Sequence, residues 1–385
     1  MKFPDSFLIG AATAGHQVEG QNIHSNWWAA ETDGKVPVSG VSADHYHNFD
    51  SDFSTAKKLG LNAMRFSIEW SRIEPEEGKL NTEAIAHYHE VFKSLRTHGL
   101  TPMVTLFHWT MPQWLAGKGG FETSLGVKAF GRFASFIARE YGNECSLWLT
   151  INEPEVFAFE GYWTAKHVPF RRDIFLTLKV YLNLIRAHKV AYKAIKQIEP
   201  HSQVGLAKNV AFHEPFRVGN WLDRLIVRID RYFGNEFFIN RLKTQLDFIG
   251  LNYYFTHTIK FDWLAGFKEM NKQFPKTDMG LKTYPQGLYS LLKRFAKYRK
   301  PLYVTENGIA NATNEMRERF ISEHLDATAQ ALSEGVLVKG YFYWSLLDTY
   351  EWHMGYSLKF GLAEVDYETL KRTPRVQENF FRTFS

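Results

Sequence analysis

The fold that the sequence predicts is a single (β/α)8 TIM barrel. Three observations carry that expectation. Eight short, β-prone apolar runs alternate with helical segments along the 385 residues. No break in composition divides them, so the chain reads as one catalytic barrel domain over 1–385. Several runs end abruptly in carboxylate, amide, imidazole or indole side chains, as strands do at the C-terminal rim of a barrel. A doubly wound open sheet accounts for eight parallel strands less economically, and no glycine-rich phosphate loop follows the first strand.

The elements follow in order. Phe7 to Ala12 reads as the first strand; Thr13-Ala14-Gly15 loosens the chain before Gln17. Asp52 to Leu59 reads as a short helix stopped by Gly60, and Leu61 to Ile68 as the second strand, with Arg65 inside its apolar run. Thr82 to Arg96 has helical spacing. Thr101 to Phe107, the third strand, runs straight into His108-Trp109. Val127 to Tyr141 places Phe130, Phe133 and Ile137 near one helical face. Ser146 to Ile151, the fourth strand, meets Asn152-Glu153-Pro154.

Ile174 to Ile198 is the longest predicted helix and Val204 to Lys208 a short fifth strand. Glu214 to Leu242 is basic and aromatic, with helix expected in its second half. Phe248 to Phe255 reads as the sixth strand and Lys260 to Thr283 as a long loop. A helix over Gln286 to Tyr298 precedes the seventh strand, which Pro301 opens and Glu306-Asn307-Gly308 ends in a turn signal. Met316 to Ser333 is helical and Val338 to Ser345 is the eighth strand. The tail holds a last helix or arm that includes Arg375 to Phe380.

Composition narrows the function. Apolar content of 45% with 23% charged residues describes a soluble globular protein. Aromatic residues are abundant (32 Phe, 18 Tyr, 11 Trp), which suits a large core and a pocket lined with flat apolar faces. A net charge of +5 is too small to imply a nucleic-acid partner, and the run Lys293, Arg294, Lys297, Arg299, Lys300 reads as a solvated helix face. Cys145 is the sole cysteine, which excludes an intramolecular disulfide; a buried structural thiol is expected. Met1 to Asp5 has no signal-peptide pattern and no apolar stretch reaches membrane-spanning length, so a cytoplasmic protein without a membrane partner is expected. Asn311-Ala312-Thr313 is read as a chance sequon.

On a barrel, Gln17, Arg65, His108, Asn152, Glu153, Tyr254, Glu306 and Trp344 gather at one rim. Glu153 and Glu306 face each other across part of it. Two carboxylates over a pocket divide the work of glycoside hydrolysis: one, protonated, donates to the leaving oxygen, while the other stays ionised. Arg65 and Tyr254 are placed to hold Glu306 ionised, and Asn152 to bind a sugar 2-hydroxyl. The residues alone leave Glu153 open to another reading, the first residue of a helix with Pro154 fixing the turn. Trp344 to Asp348 and Glu351-Trp352 supply an aromatic floor and a carboxylate, completed by Gln17, His108 and Trp109; core packing is the alternative for both Trp344 and Trp352. His16, His45 and His108 match no compact ligand motif, and His45-Tyr46-His47 reads as a strand with both histidines on one side. No metal and no cofactor are expected.

Thr150-Ile151-Asn152-Glu153-Pro154 and Val304-Thr305-Glu306-Asn307-Gly308 resemble the acid/base and nucleophile motifs of glycoside hydrolase family 1, the β-glucosidase and β-galactosidase family. The resemblance runs from Phe7-Leu8-Ile9-Gly10 through Phe360-Gly361-Leu362 to Arg375. It implies a (β/α)8 barrel that hydrolyses β-glycosides with retention. It further implies Glu153 as acid/base and Glu306 as nucleophile, with Tyr254, from Asn252-Tyr253-Tyr254, bonded to the nucleophile and Arg65 beside it. Gln17, His108, Asn152, Glu351 and Trp352 are implied to bind the non-reducing sugar, with Trp344 beneath it and Trp109 in the wall.

The phospho-glycosidase branch carries serine where Glu351 stands and Lys and Tyr where Leu358 and Phe360 stand; Lys359 is off register. Unphosphorylated β-linked glycosides or short oligosaccharides are therefore the expected partners, with gluco, galacto, fuco and manno configurations and the oligomeric state left open. A transglycosylating enzyme, a 6-phospho-β-glycosidase and a sugar-binding barrel without turnover are the alternatives. Two departures from the family stand out. The chain is short, with trimming expected between the fourth and seventh strands, and the usual glycine-rich run is replaced by Gly161 to Phe170.

Overall fold

The structure is a computed structural model that describes residues 2–262, 266–269, 277–280 and 283–384. Nine strands are labelled in chain order: β1 (Leu8–Ala12), β2 (Ala63–Ser67), β3 (Thr101–Phe107), β4 (Leu147–Asn152), β5 (Gln203–Pro215), β6 (Ile249–Asp262), β7 (Gly266–Glu269), β8 (Leu302–Asn307) and β9 (Val338–Trp344). Eight of them close a parallel ring in the order β1-β2-β3-β4-β5-β6-β8-β9 and back to β1, while β7 folds back antiparallel on β6. The expected (β/α)8 barrel is therefore present.

Strand alternation divides the apolar residues into two cores. Ala12, Ala63, Met103, Leu149, Ala207, Phe248 and Phe342 plug the interior of the ring. Ile9, Met64, Val104, Ile151, Leu251 and Val304 belong to the larger core shared with the surrounding helices. Close packing of the plug demands a glycine: a Cβ on Gly205 would lie 2.7 Å from the Phe248 ring. The helices are capped as their sequences suggest. Asn81 accepts from the amides of Glu83 and Ala84 at the start of Thr82–Thr97, and Asp173 caps Ile174–Ile198 in the same way.

Several expectations are corrected. The first long helix spans His45–Lys58 rather than starting at Asp52. His45-Tyr46-His47 is thus helical, and a two-residue step on a helix separates the two histidines. His45 turns inward to Asp52 at 2.8 Å, while His47 is exposed. The helix after β5 begins early, at Trp221, because Asn220 caps it, and continues through a π-helical turn to Asn240. The basic run is not simply solvated: Arg294 and Lys297 close on Glu236, and Lys293 lies 2.9 Å from Glu334.

The largest difference is at β5 and β6. Both run well past their expected ends, paired from Ala207↔Gly250 to Pro215↔Ile259. The β-branched residues Thr256, Thr258 and Ile259 favour that extension. The segment expected as a loop from Lys260 thus begins as strand and hairpin; its residues 263–265, 270–276 and 281–282 lie outside the described ones. Of the helix or arm expected for the tail, the structure shows the arm, with a short two-stranded sheet, a 3-10 turn at Phe380–Phe384 and a buried Phe381. Among the described residues no helix is long and apolar enough to cross a membrane.

Candidate active site

The C-terminal ends of the strands converge on a cavity of about 410 Å³. Gln17, His108, Trp109, Asn152, Glu153, Tyr254, Glu306, Trp344, Glu351 and Trp352 all line it. Arg65 stands behind them, wholly buried. The structure thus brings together every residue that the sequence analysis assigned to catalysis or sugar binding.

Arg65 is the hub. From β2 its Nη1 donates to Glu306 Oε1 at 2.6 Å and to the Thr305 carbonyl at 2.9 Å. Its Nη2 donates to Asn152 Oδ1 at 2.7 Å, and Nε to Thr105 at 3.2 Å. A planar guanidinium with donors on both edges is suited to spanning three strands in this way. The other Glu306 oxygen accepts from the Tyr254 hydroxyl at 2.9 Å.

Glu153 is presented differently. It follows β4 with φ 43° and ψ 64°, a left-handed conformation that costs a non-glycine residue roughly 1–3 kcal/mol. Its amide is pinned to the Ala207 carbonyl at 2.8 Å, and Pro154 opens the helix Pro154–Tyr162. Glu153 therefore stands just before the helix, not as its first residue, and the sharp turn directs its carboxylate over the cavity. There Asn252 Nδ2 donates to Glu153 Oε1 at 2.9 Å and to Asn152 Oδ1 at 3.0 Å.

The two carboxylates have unequal surroundings. Burial pushes Glu153 well above the usual carboxylate range, and the charges of Glu306 and Glu155 push it further. Burial also raises Glu306, but Arg65 and the Tyr254 hydroxyl oppose that rise. Glu306 is the one that ionises first. Burial moves Glu351 up to about 7, against hydrogen bonds from Thr349 and Trp344.

Burial, with the charge of Arg65, holds His108 well below its ordinary value, so its imidazole is neutral. Its tautomer follows from its neighbour. Asn152 Oδ1 accepts from Arg65 and Asn252, so Asn152 Nδ2 donates to His108 Nε2 at 3.1 Å, and the proton sits on Nδ1. That Nδ1 is buried without a hydrogen-bond partner among the described residues, as is Gln17 Oε1, whose amide nitrogen donates to the Tyr350 carbonyl at 2.7 Å. Buried polar atoms are almost always bonded, so an unpaired donor and acceptor facing one cavity point to a hydroxylated ligand. Trp344 and Trp352 flank His108 with rings inclined by only 23° and 16°. Trp109 packs 4.9 Å from Trp352, and its indole donates to the Asn152 carbonyl at 3.0 Å.

The sequence reading left Asn252, Asn209, His167, Phe255 and Met279 without a place in the site. Asn252 carried a signal, an amide on a strand end at the same rim. The others depend on how β5, β6 and the neighbouring loops fold over the cavity, and nothing local marks them. His16 does not face the cavity; it bonds Glu31 at 2.9 Å, in a network with Asn22.

The family model for Glycosyl hydrolase family 1 matches residues 1–241 and 233–385. Beta-glucosidase A of Thermotoga maritima is 34% identical, with 96% of this chain and 95% of that protein covered. The solved beta-glycosidase from Pyrococcus horikoshii has 36% identity and a TM-score of 0.92, covering 100% of this chain and 98% of that one. A Thermotoga maritima beta-glucosidase solved in complex with glucoimidazole has 32% identity and a TM-score of 0.91, covering 99% and 97%. The match extends over the barrel and over both strands that carry the facing carboxylates, so the chain belongs to glycosyl hydrolase family 1.

Proposed function

We propose that the protein is a retaining exo-β-glycosidase acting on unphosphorylated β-glycosides, foremost β-glucosides, and that the whole chain is one catalytic domain. The observation that carries this reading is the unequal pair: Glu153, pushed up by burial and by its neighbours, opposite Glu306, held by Arg65 and Tyr254. In the first step Glu306 attacks the anomeric carbon while Glu153 protonates the departing oxygen. Glu153, then ionised, takes a proton from water, which displaces Glu306 and releases the sugar with its configuration retained.

Asn152, fixed by Arg65, is assigned to the 2-hydroxyl. Gln17 Oε1, His108 Nδ1–H, the Glu351 carboxylate and Trp352 are assigned to the remaining hydroxyls, with Trp344 as the stacking face and Trp109 as the wall. Glucosides are supported by the similarity to the beta-glucosidase A of Thermotoga maritima, and galactosides by the similarity to a Thermotoga maritima beta-glucosidase in complex with galacto-hydroximolactam. The unphosphorylated sugar rests on Glu351 and buried Leu358 lining the cavity. Lys359 reaches instead toward Asp348 at 4.0 Å and lies over the Tyr367 ring. The test is turnover of aryl β-glycosides with and without a 6-phosphate, with the anomer of the first-formed product read by NMR. Preference for the phosphorylated substrate, or an inverted product, overturns the proposal.

A further inference from the structure

A second pocket, of about 180 Å³, lies between the far end of β5 and two helices and shares no lining residue with the active-site cavity. β5 contributes Phe212 and His213 to it. The end of the helix Trp221–Arg231 contributes Arg231, the π-helical turn that follows contributes Asn235, and the helix Pro285–Phe295 contributes Leu291 and Arg294. π-Helical turns are rare and frequently mark functional sites. This one fastens the pocket together. Asn235 Nδ2 donates to the Ala211 carbonyl of β5 at 2.8 Å, and Asn235 Oδ1 accepts from the Ala211 amide at 3.1 Å. Glu236, at the end of the turn, draws in the helix Pro285–Phe295 through Arg294.

Two guanidiniums face the pocket, and no carboxylate lines it. Each is anchored along one edge. Arg231 directs Nε and Nη2 at the His213 carbonyl, Nε at 3.0 Å. Arg294 directs Nε and Nη2 at Glu236 Oε1, Nε at 2.5 Å. Nη1 of each is left without a partner among the described residues. The nearby carboxylates are already engaged: Glu236 with Arg294 and Lys297, Asp230 with His213 Nε2 at 3.1 Å, and Glu214 with the Thr258 hydroxyl at 2.9 Å. Burial, and then the charge of Arg294, lowers the proton affinity of Arg231. Two anchored, planar cations lose little freedom when an anion joins them, and its charge relieves their repulsion.

We propose that this pocket binds a small phosphate monoester, with the phosphate between Arg231 and Arg294 and the carbon body against Phe212 and Leu291. A phosphate has three terminal acceptor oxygens to share between guanidiniums on two helices, where a carboxylate has two. The site is separate from the one that receives the sugar, so it does not depend on the glycosidase reading and leaves the unphosphorylated substrate as proposed.

The test is calorimetric titration with phenyl phosphate, inorganic phosphate and benzoate at an ionic strength held constant with chloride. It uses the unaltered protein, Arg231→Met, Arg294→Met and Ser290→Glu. The last places a carboxylate on the lining while keeping both arginine anchors, since the Ser290 hydroxyl bonds only the Gln286 carbonyl of its own helix. Melting curves report the folding of each variant. Phenyl phosphate is expected to bind more tightly than the other two anions. Each folded variant is expected to weaken it by about tenfold or more, the scale of one charged hydrogen bond. Absence of phenyl phosphate binding to the unaltered protein overturns the site. Unchanged affinity in two or more of the folded variants places the anion elsewhere and also overturns it. Affinity for inorganic phosphate or benzoate equal to that for phenyl phosphate overturns the monoester assignment.

Discussion

Arg65 donates to Glu306 through one guanidinium nitrogen, at 2.6 Å, and to Asn152 through the other, at 2.7 Å. A single buried cation thereby sets both the charge of one carboxylate and the position of the amide that precedes the other. The same contact makes Arg65→Lys a sharp test. An ammonium cannot span both partners, so Glu306 loses part of its stabilisation as an anion and Asn152 loses its anchor. We expect kcat/KM to fall by about a hundredfold or more, the scale of losing a preorganised charge contact. The acid limb of its pH profile should move to higher pH, because a less stabilised anion protonates more readily. An unmoved acid limb would argue that Arg65 acts only in packing.

Glu306→Gly should abolish hydrolysis yet leave the fold intact. The position is buried, and removing a desolvated carboxylate also removes the charge that Arg65 was balancing. A melting curve alongside activity separates the two effects. Full activity in a folded variant rules out the nucleophile assignment.

Glu153→Ala should discriminate between leaving groups. Aryl glycosides with strongly acidic phenols need little protonation and should keep much of their glycosylation rate. Alkyl glycosides and disaccharides should lose about 10²–10⁴-fold, the usual contribution of general acid catalysis. In the unaltered protein kcat/KM should form a bell. It rises as Glu306 ionises and falls as Glu153 loses its proton, with the falling limb above the ordinary carboxylate range because burial and Glu306 raise Glu153. The alkaline limb should vanish in Glu153→Ala with an activated substrate. Equal losses on all leaving groups would remove the acid role.

Glu351 links the site to stability. Its folded-state value, raised to about 7 by burial, exceeds the ordinary carboxylate value expected when unfolded. A raised value means that the folded state binds the proton more tightly. The associated stability is present in full below the unfolded value and is lost as pH rises through about 7. Glu351→Gln should remove that loss, raising stability at pH 8 relative to pH 5 by on the order of 1–3 kcal/mol compared with the unaltered protein. It should also raise KM for unphosphorylated glycosides. Denaturant midpoints at the two pH values check the first effect and steady-state kinetics the second.

The barrel was legible because each strand is a short apolar run whose polar terminus breaks the pattern. Arg65 stood out as a charge inside such a run, and Asn152-Glu153-Pro154 and Glu306-Asn307-Gly308 as strand ends with turn residues attached. Those signals are local, since alternation and turn chemistry operate over a few residues. The early start of the helix at His45 was missed because its cap, Asp44, sits in a left-handed conformation with no side-chain capping bond to announce it.

The amino-acid sequence by itself determined the order of strands and helices, the rim on which polar side chains collect, and the two carboxylates at the ends of β4 and β8. Tertiary structure decided what those groups experience. Only the closed ring places Arg65 of β2 between Asn152 of β4 and Glu306 of β8, and only the assembled neighbours, Glu306 and Glu155 beside Glu153 against Arg65 and Tyr254 on Glu306, separate the proton affinities of two carboxylates that burial raises alike. Pairing between β5 and β6 past the rim, with its one-residue slip at Tyr254, decided which faces Phe255, His257 and His213 present. Register is a relation between two strands, and desolvation a property of everything packed around a group, so neither is contained in any single stretch of chain.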